Sequence, residues 1–196
     1  MDLFMTTDSQ LDLLSPVPDL GYARFLLADL HDDLHGKVAR FRQLSDLSAS
    51  LGSNGAMLTG GETTWAAWTE ARTSFIHGNF VATVLLSQGL AEHMLASYLA
   101  LGVNAEILPD RIGFQETLKR CLARNIISET DAADLRRLMS LRNPLSHYRS
   151  VDDPASLTRR VIDEQLGADE HLRRDATFAI AMAVRLLSLP AFRIGD

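Results

Sequence analysis

The sequence predicts an all-α fold, a helical bundle of about six helices. Three observations carry the fold class. Apolar residues recur at three- and four-residue steps through most of the chain, strand-like alternation of useful length is absent, and there are no internal repeats. Gly, Asn and Pro fall between the periodic segments, where helices stop and start.

Residues 1–18 hold Pro16 and Pro18 and little periodicity, and read as a loose leader before a single helical domain over 19–196. From Asp19 onward, Leu20, Tyr22, Phe25, Leu26, Leu30, Leu34, Val38, Phe41 and Leu44 predict one helix reaching Ser50. The stretch "LGSNGAMLTGG" at 51–61, with its four glycines, predicts a flexible connector. "ETTWAAWTEARTSFIH" predicts a second helix carrying Trp65, Trp68, Phe75 and Ile76, closed by Gly78–Asn79.

The third helix, over 79–101, places Val84, Leu85, Ala91, Leu95, Tyr98 and Leu99 in one broad sector, widened by Leu90 and Met94. It should therefore be central and buried. Glu92 falls about 120° from Phe80 on that wheel, between Leu99 and Leu85, and a carboxylate there needs a partner. "FQETLKRCLARN" predicts a short amphipathic helix. "SETDAADLRRLMSLR" begins with a capping-box pattern, Ser128 and Asp131. "VDDPASLTRRVIDEQLG" reads as a loop and a short helix, and 168–189 as a long last helix with Pro190 beyond it.

Composition narrows the function classes. A 46% hydrophobic and 22% charged chain of 196 residues is that of a globular protein with one core. No apolar run is long enough for a membrane span, and the acidic start lacks a secretion-signal pattern. Cys121 is the one cysteine, which excludes an internal disulfide and a thiolate zinc cluster and suits a reducing cytoplasm. A net charge of −6 argues against a broad basic surface for nucleic acid, though not against a small basic cleft. The basic residues are nearly all arginine, and the doublets at 136–137, 159–160 and 173–174 read as solvated helix faces.

The stretch "LRNPLSHYRS" at 141–150 carries the chemistry. Composition alone predicts roughly half an occurrence of Arg-x4-His in such a chain. Two are present, Arg142–His147 and Arg72–His77, and Arg24–His31 fits a looser spacing. Residues i and i+5 of a straight helix point about 140° apart, so Arg72 and His77 should diverge. Pro144 lacks an N–H and disfavours helix at Asn143. The expected arrangement is one helix ending near Arg142, Asn143 as N-cap, and Pro144 opening a new helix. Leu145, Ser146 and His147 would then lie in a first turn that favours an anion and a neutral imidazole. Together with the Arg142 fork, such a site could handle a phosphodiester without metal.

With those residues in view, the sequence resembles the HEPN domain family, helical bundles of prokaryotic toxin and defence systems and some eukaryotic RNases. Its signature, Arg-x4–6-His with a polar residue after the arginine, matches Arg142, Asn143 and His147. The upstream helix with a glutamate in its apolar face matches Glu92 in "FVATVLLSQGLAEHMLASYL", and the resemblance covers roughly 62–190. It implies a metal-independent endoribonuclease, with no cofactor, acting as a homodimer on RNA. His147 and Arg142 would be catalytic, Asn143 and Glu92 supporting, and an antitoxin or regulatory protein would be a further partner. The alternative it leaves open is a non-catalytic interaction or regulatory module of the same fold. Arg149 stands where toxin-type members often carry a tyrosine, and Tyr148 comes one position early.

Other candidates are plainer. "HDDLH" sets His31 and His35 at a zinc-compatible helical spacing but offers no third ligand, and reads as a solvated face. His93 should be exposed. Trp65 and Trp68 have core or interface spacing, and Cys121 reads as a small buried apolar residue.

Overall fold

The computed structural model of the chain describes residues 31–52, 55–102 and 104–194, together with 21, 24 and 28. The expected leader, 1–18, and the apolar positions Leu20, Tyr22, Phe25, Leu26 and Leu30 lie outside the described residues. The chain divides into two compact units, Met1–His35 and Gly36–Asp196.

Among the described residues the fold is all-helical, as the periodicity requires. The helices are α1 (Leu34–Ser48), α2 (Gly61–His77), α3 (Phe80–Leu99), α4 (Phe114–Ala123), α5 (Glu129–Ser146), α6 (Leu157–Glu164) and α7 (Ala168–Leu187). Extended pairing among them is confined to one isolated bridge, Ala56 to Arg193. No helix among the described residues is long and apolar enough to cross a membrane.

α3 is the centre, packed against α2, α7, α5 and α4. Its apolar sector wraps most of the helix, so Val84, Leu90, Ala91, Met94, Leu95 and Leu99 are all buried. They meet Phe75 of α2, Leu135 and Leu138 of α5, and Ile180 and Leu186 of α7 in one core. Each such side chain contributes roughly 1.5–3 kcal/mol relative to exposure, which explains why the bundle closes around α3.

Side-chain contacts fix the register. Arg185 bonds Asp131, and Arg137 stacks over Phe178, so α5 and α7 run antiparallel. Phe80 and Leu85 line a groove with Asp169 and Leu172, and Tyr98 packs edge-on to Phe192, so α3 and α7 run in the same direction. The end of α5, the start of α3 and the start of α7 therefore share one end of the bundle.

Capping follows the sequence. Ser128 and Asp131 form the reciprocal box: the Ser128 hydroxyl accepts from the Asp131 N–H at 3.1 Å, and an Asp131 oxygen accepts from the Ser128 N–H at 3.1 Å. Gly78 closes α2 with φ 85°, the left-handed cap that favours glycine.

Two expectations change. The single helix over 19–50 is interrupted at Asp32–Asp33, where Asp33 has φ 51° and its N–H donates to the Asp32 side chain at 3.0 Å. Short acidic side chains offer the backbone such local bonds in place of helix, and aspartate tolerates the left-handed region. The connector over 51–61 is anchored in its described part. The Met57 N–H donates to the Phe192 carbonyl at 2.7 Å, and the Thr59 hydroxyl donates to the Met94 carbonyl at 2.8 Å. Glycine content predicted freedom, but a backbone N–H and a buried hydroxyl that each need an acceptor tie the segment down.

Candidate active site

The decapeptide folds differently from the expectation. α5 runs through Asn143 and Pro144 to Ser146, and His147 is its C-cap with extended backbone, φ −131° and ψ 137°. Asn143 is not an N-cap, and Pro144 does not open a helix. The proline removes one N–H near the helix end, so one bond to the Ser140 carbonyl is lost. Leu141 and Leu145, one turn apart, both pack on the core and keep the helix going. The last carbonyls also find donors: the His147 N–H bonds the Asn143 carbonyl at 3.0 Å, and the Ser146 hydroxyl reaches the Arg142 carbonyl at 3.3 Å.

His147 stands at the carbonyl end of a helix, which favours cations, and not at the N–H end that would cradle an anion. Any anion bound here must be held by side chains.

Those side chains do meet. The Arg142 Nη1 lies 3.4 Å from the His147 Nε2. Arginine has no acceptor, so the guanidinium donates, Nε2 accepts, and the ring proton belongs on Nδ1. The contact exists because His147 leaves the helix; helical geometry continued to residue 147 would turn the two about 140° apart. Arg72 and His77 provide the contrast. They stay within α2, Arg72 stacks over Trp68 at 5.2 Å, and no hydrogen bond joins the pair among the described residues.

Among the described residues, no carboxylate engages either member of the site. Arg142 is half-buried and His147 exposed, and no ion pair holds either among the described residues. Tyr148 beside them is 93% exposed. Asn143 contributes through its backbone carbonyl. Glu92 is not brought to the motif: its carboxylate accepts from Gln88 Nε2 at 2.8 Å on the same helix, and no hydrogen bond or ion pair joins it to Arg142 among the described residues. By the helix register, Glu92 lies well along α3, away from the bundle end that carries Arg142.

An open groove of about 520 Å³ lies at that same end, lined by Gly78, Phe80, Val81, Leu85, Asp169 and Leu172. Neither Arg142 nor His147 lines it.

Sequence reasoning missed a second polar cluster. Arg160 on α6 forks onto Asp175 on α7, at 2.6 Å and 3.0 Å, and its Nη2 lies 3.4 Å from the His171 Nδ1. Asp175 and His171 are buried at 6% and 1% exposure. The hydrogen bond to Asp175 holds the Arg160 guanidinium pKa above its usual value, against the opposing effect of burial. A usable signal existed: His171, Asp175, Ala179 and Ala183 recur every four residues on one face of the last helix. Arg159–Arg160 does not read as a wholly solvated doublet, since its second member enters this cluster.

The remaining candidates are simpler. His31 and His35 flank the Asp32–Asp33 turn, and the described residues contain no group of three or more ligands suited to a metal ion. His93 is exposed, Trp68 is buried, and Trp65 is 59% exposed. Cys121 is fully buried, and burial pushes its thiol up to about 12.

Compared with protein-family models, with curated proteins and with solved structures, the chain finds no match in any of the three.

Proposed function

We propose that this protein is a HEPN-like, metal-independent endoribonuclease of a toxin or defence system in which Arg142 and His147 act on the scissile phosphodiester. The observation that carries the reading is the 3.4 Å approach of Arg142 to His147, with no carboxylate among the described residues paired to either. An arginine and a histidine side by side have a common use for an oxyanion. The guanidinium stabilises developing charge on phosphate, and the imidazole moves the proton.

The step balances without a metal. A neutral His147 takes the proton of the ribose 2′-hydroxyl, the 2′-oxygen bonds phosphorus, and the bond to the 5′-oxygen breaks. An acid returns a proton to that oxygen, leaving a 2′,3′-cyclic phosphate and a free 5′-hydroxyl. A homodimer would present a second His147 for the acid role and wall the exposed motif into a cleft. Arg142 now donates to Nε2, so an entering phosphate would draw off the guanidinium and free that nitrogen as base. Glu92, held by Gln88, has no place in this scheme without a conformational change.

End-group analysis tests the reading. RNA incubated with the purified protein in excess EDTA should yield cyclic phosphate and 5′-hydroxyl ends. Ends of the opposite polarity, or a requirement for divalent metal, would overturn it.

The second reading is a non-catalytic interaction module of the same fold, favoured by Glu92 being engaged elsewhere and by the net charge of −6. It requires no cleavage by the wild type and a partner that covers Arg142 and His147.

A further inference from the structure

α6 follows the motif and buries none of its eight residues. A helix that short cannot hold itself in place by propensity, and here apolar burial supplies little. Its strongest tie to α7 is polar. Arg160 Nη1 and Nη2 donate to Asp175 Oδ2 and Oδ1 at 2.6 Å and 3.0 Å. The same guanidinium lies 3.4 Å from His171 Nδ1, which can accept from it, and Glu164 Oε2 lies 3.9 Å from that nitrogen. A planar fork on a buried carboxylate fixes direction as well as distance.

Between His147 and α6 runs a segment bonded mainly to itself. The Asp153 N–H donates to the Ser150 carbonyl at 3.1 Å and the Ser156 N–H to the Asp153 carbonyl at 2.9 Å. Arg149 pairs with Asp153 at 3.4 Å, and the Ala155 N–H donates to the Asp153 side chain at 2.8 Å. These bonds tie Arg149 to Ser156 within one short loop. One end is Arg149, two residues beyond His147, which is exposed and outside the helix; the other is the N-cap of α6, Ser156, whose side chain accepts from the Arg159 N–H at 3.1 Å. The His147 N–H is tied to the Asn143 carbonyl of α5, so the chain leaving His147 is held between α5 on one side and the pinned α6 on the other.

We infer that Arg160, clamped by Asp175 and backed by His171, is the positioning residue for His147, and that releasing this clamp lets the histidine leave Arg142. The inference rests on the reading of Arg142 and His147 as the phosphodiester-handling pair. Arg160 and Asp175 touch no substrate in this account; they act through the 147–156 segment.

Arg160→Lys tests it in the full chain, since lysine keeps the charge but cannot fork. Three readouts are compared with wild type: amide exchange over 147–156, the His147 ring proton resonance assigned by its loss in His147→Ala, and kcat and KM for RNA cleavage in EDTA. Exchange there should rise about tenfold with the α3 amides unchanged, as expected of a local opening. The ring resonance should shift, and kcat should fall about tenfold to a hundredfold with little change in KM, the mark of lost orientation. Asp175→Asn should reproduce the pattern more weakly, because an amide still accepts one of the two bonds.

Unchanged exchange and an unchanged ring signal would overturn the clamp. A response in both with kcat intact would overturn the positioning role. A response in both from a wild type that never cleaves RNA would sink the nuclease reading, and with it any catalytic role for the clamp, while leaving the clamp itself supported.

Discussion

Asp131 at the start of α5 accepts a 3.0 Å hydrogen bond from Nε of Arg185 near the end of α7 while its other oxygen takes the Ser128 hydroxyl and N–H. One carboxylate thus caps a helix and fixes the antiparallel register of α5 on α7. Burial works to raise its pKa, but the Ser128 bonds and Arg185 together outweigh burial and hold it below the usual value. Arg185 is largely exposed, so most of the stabilisation belongs to the cap.

The lowered pKa sets a pH dependence. An aspartate depressed in the folded state stabilises above its unfolded value, about 3.9, and loses that contribution as pH falls through the folded value. Asp131→Asn should cost about 1–2 kcal/mol in urea melts at pH 7. At pH 3 and below, the gap between variant and wild type should shrink. A gap independent of pH would mean that the ionised carboxylate is not its source.

Pro144→Ala separates the observed helix from the one the sequence suggested. Within α5 the proline forgoes a backbone bond, so alanine should raise stability by about 1 kcal/mol or more, read as a higher Tm. A proline opening a new helix would instead give no gain, or a loss, on replacement.

Gly60 joins the anchored connector to α2 with φ 102°, and a Cβ there would collide with the Thr64 hydroxyl. Gly60→Ala should destabilise by about 1–3 kcal/mol, from backbone strain as well as the clash. Gly55→Ala is the control, since its Cβ would meet nothing within 4 Å although its φ is 77°. Its cost should be the smaller of the two in the same denaturant series.

Cys121 should be inert. With its thiol buried and pushed up to about 12, it carries almost no thiolate at pH 8, and native protein should resist iodoacetamide for hours. Labelling should become rapid in denaturant. Rapid labelling of native protein would show that α4 opens readily.

The helices were legible because they are local: the three- and four-residue periodicity of α3 and α7 and the Ser128 box specify themselves within a few residues. What the sequence hid depends on distant partners. Pro144 reads as a helix start until Leu141 and Leu145 are seen to pack on the core, where burial outweighs one missing bond. Glu92 on an apolar sector needs a partner, and Gln88 one turn earlier supplies it where Arg142 does not. Asp175 also falls on an apolar face and needs a cation in the same way, which Arg160 supplies. Arg142 and His147 were identifiable as a pair, while their contact comes from His147 leaving the helix, which periodicity does not encode.

The most direct test of the central claim, that Arg142 and His147 act as one unit on a phosphodiester, is RNA cleavage in excess EDTA by four proteins. These are wild type, Arg142→Ala, His147→Ala and the double variant. Each single change should lower kcat/KM by about a hundredfold or more, and the double should fall little further, because groups that act together are not additive. Cleavage undiminished in His147→Ala, or losses that multiply in the double variant, would contradict the account.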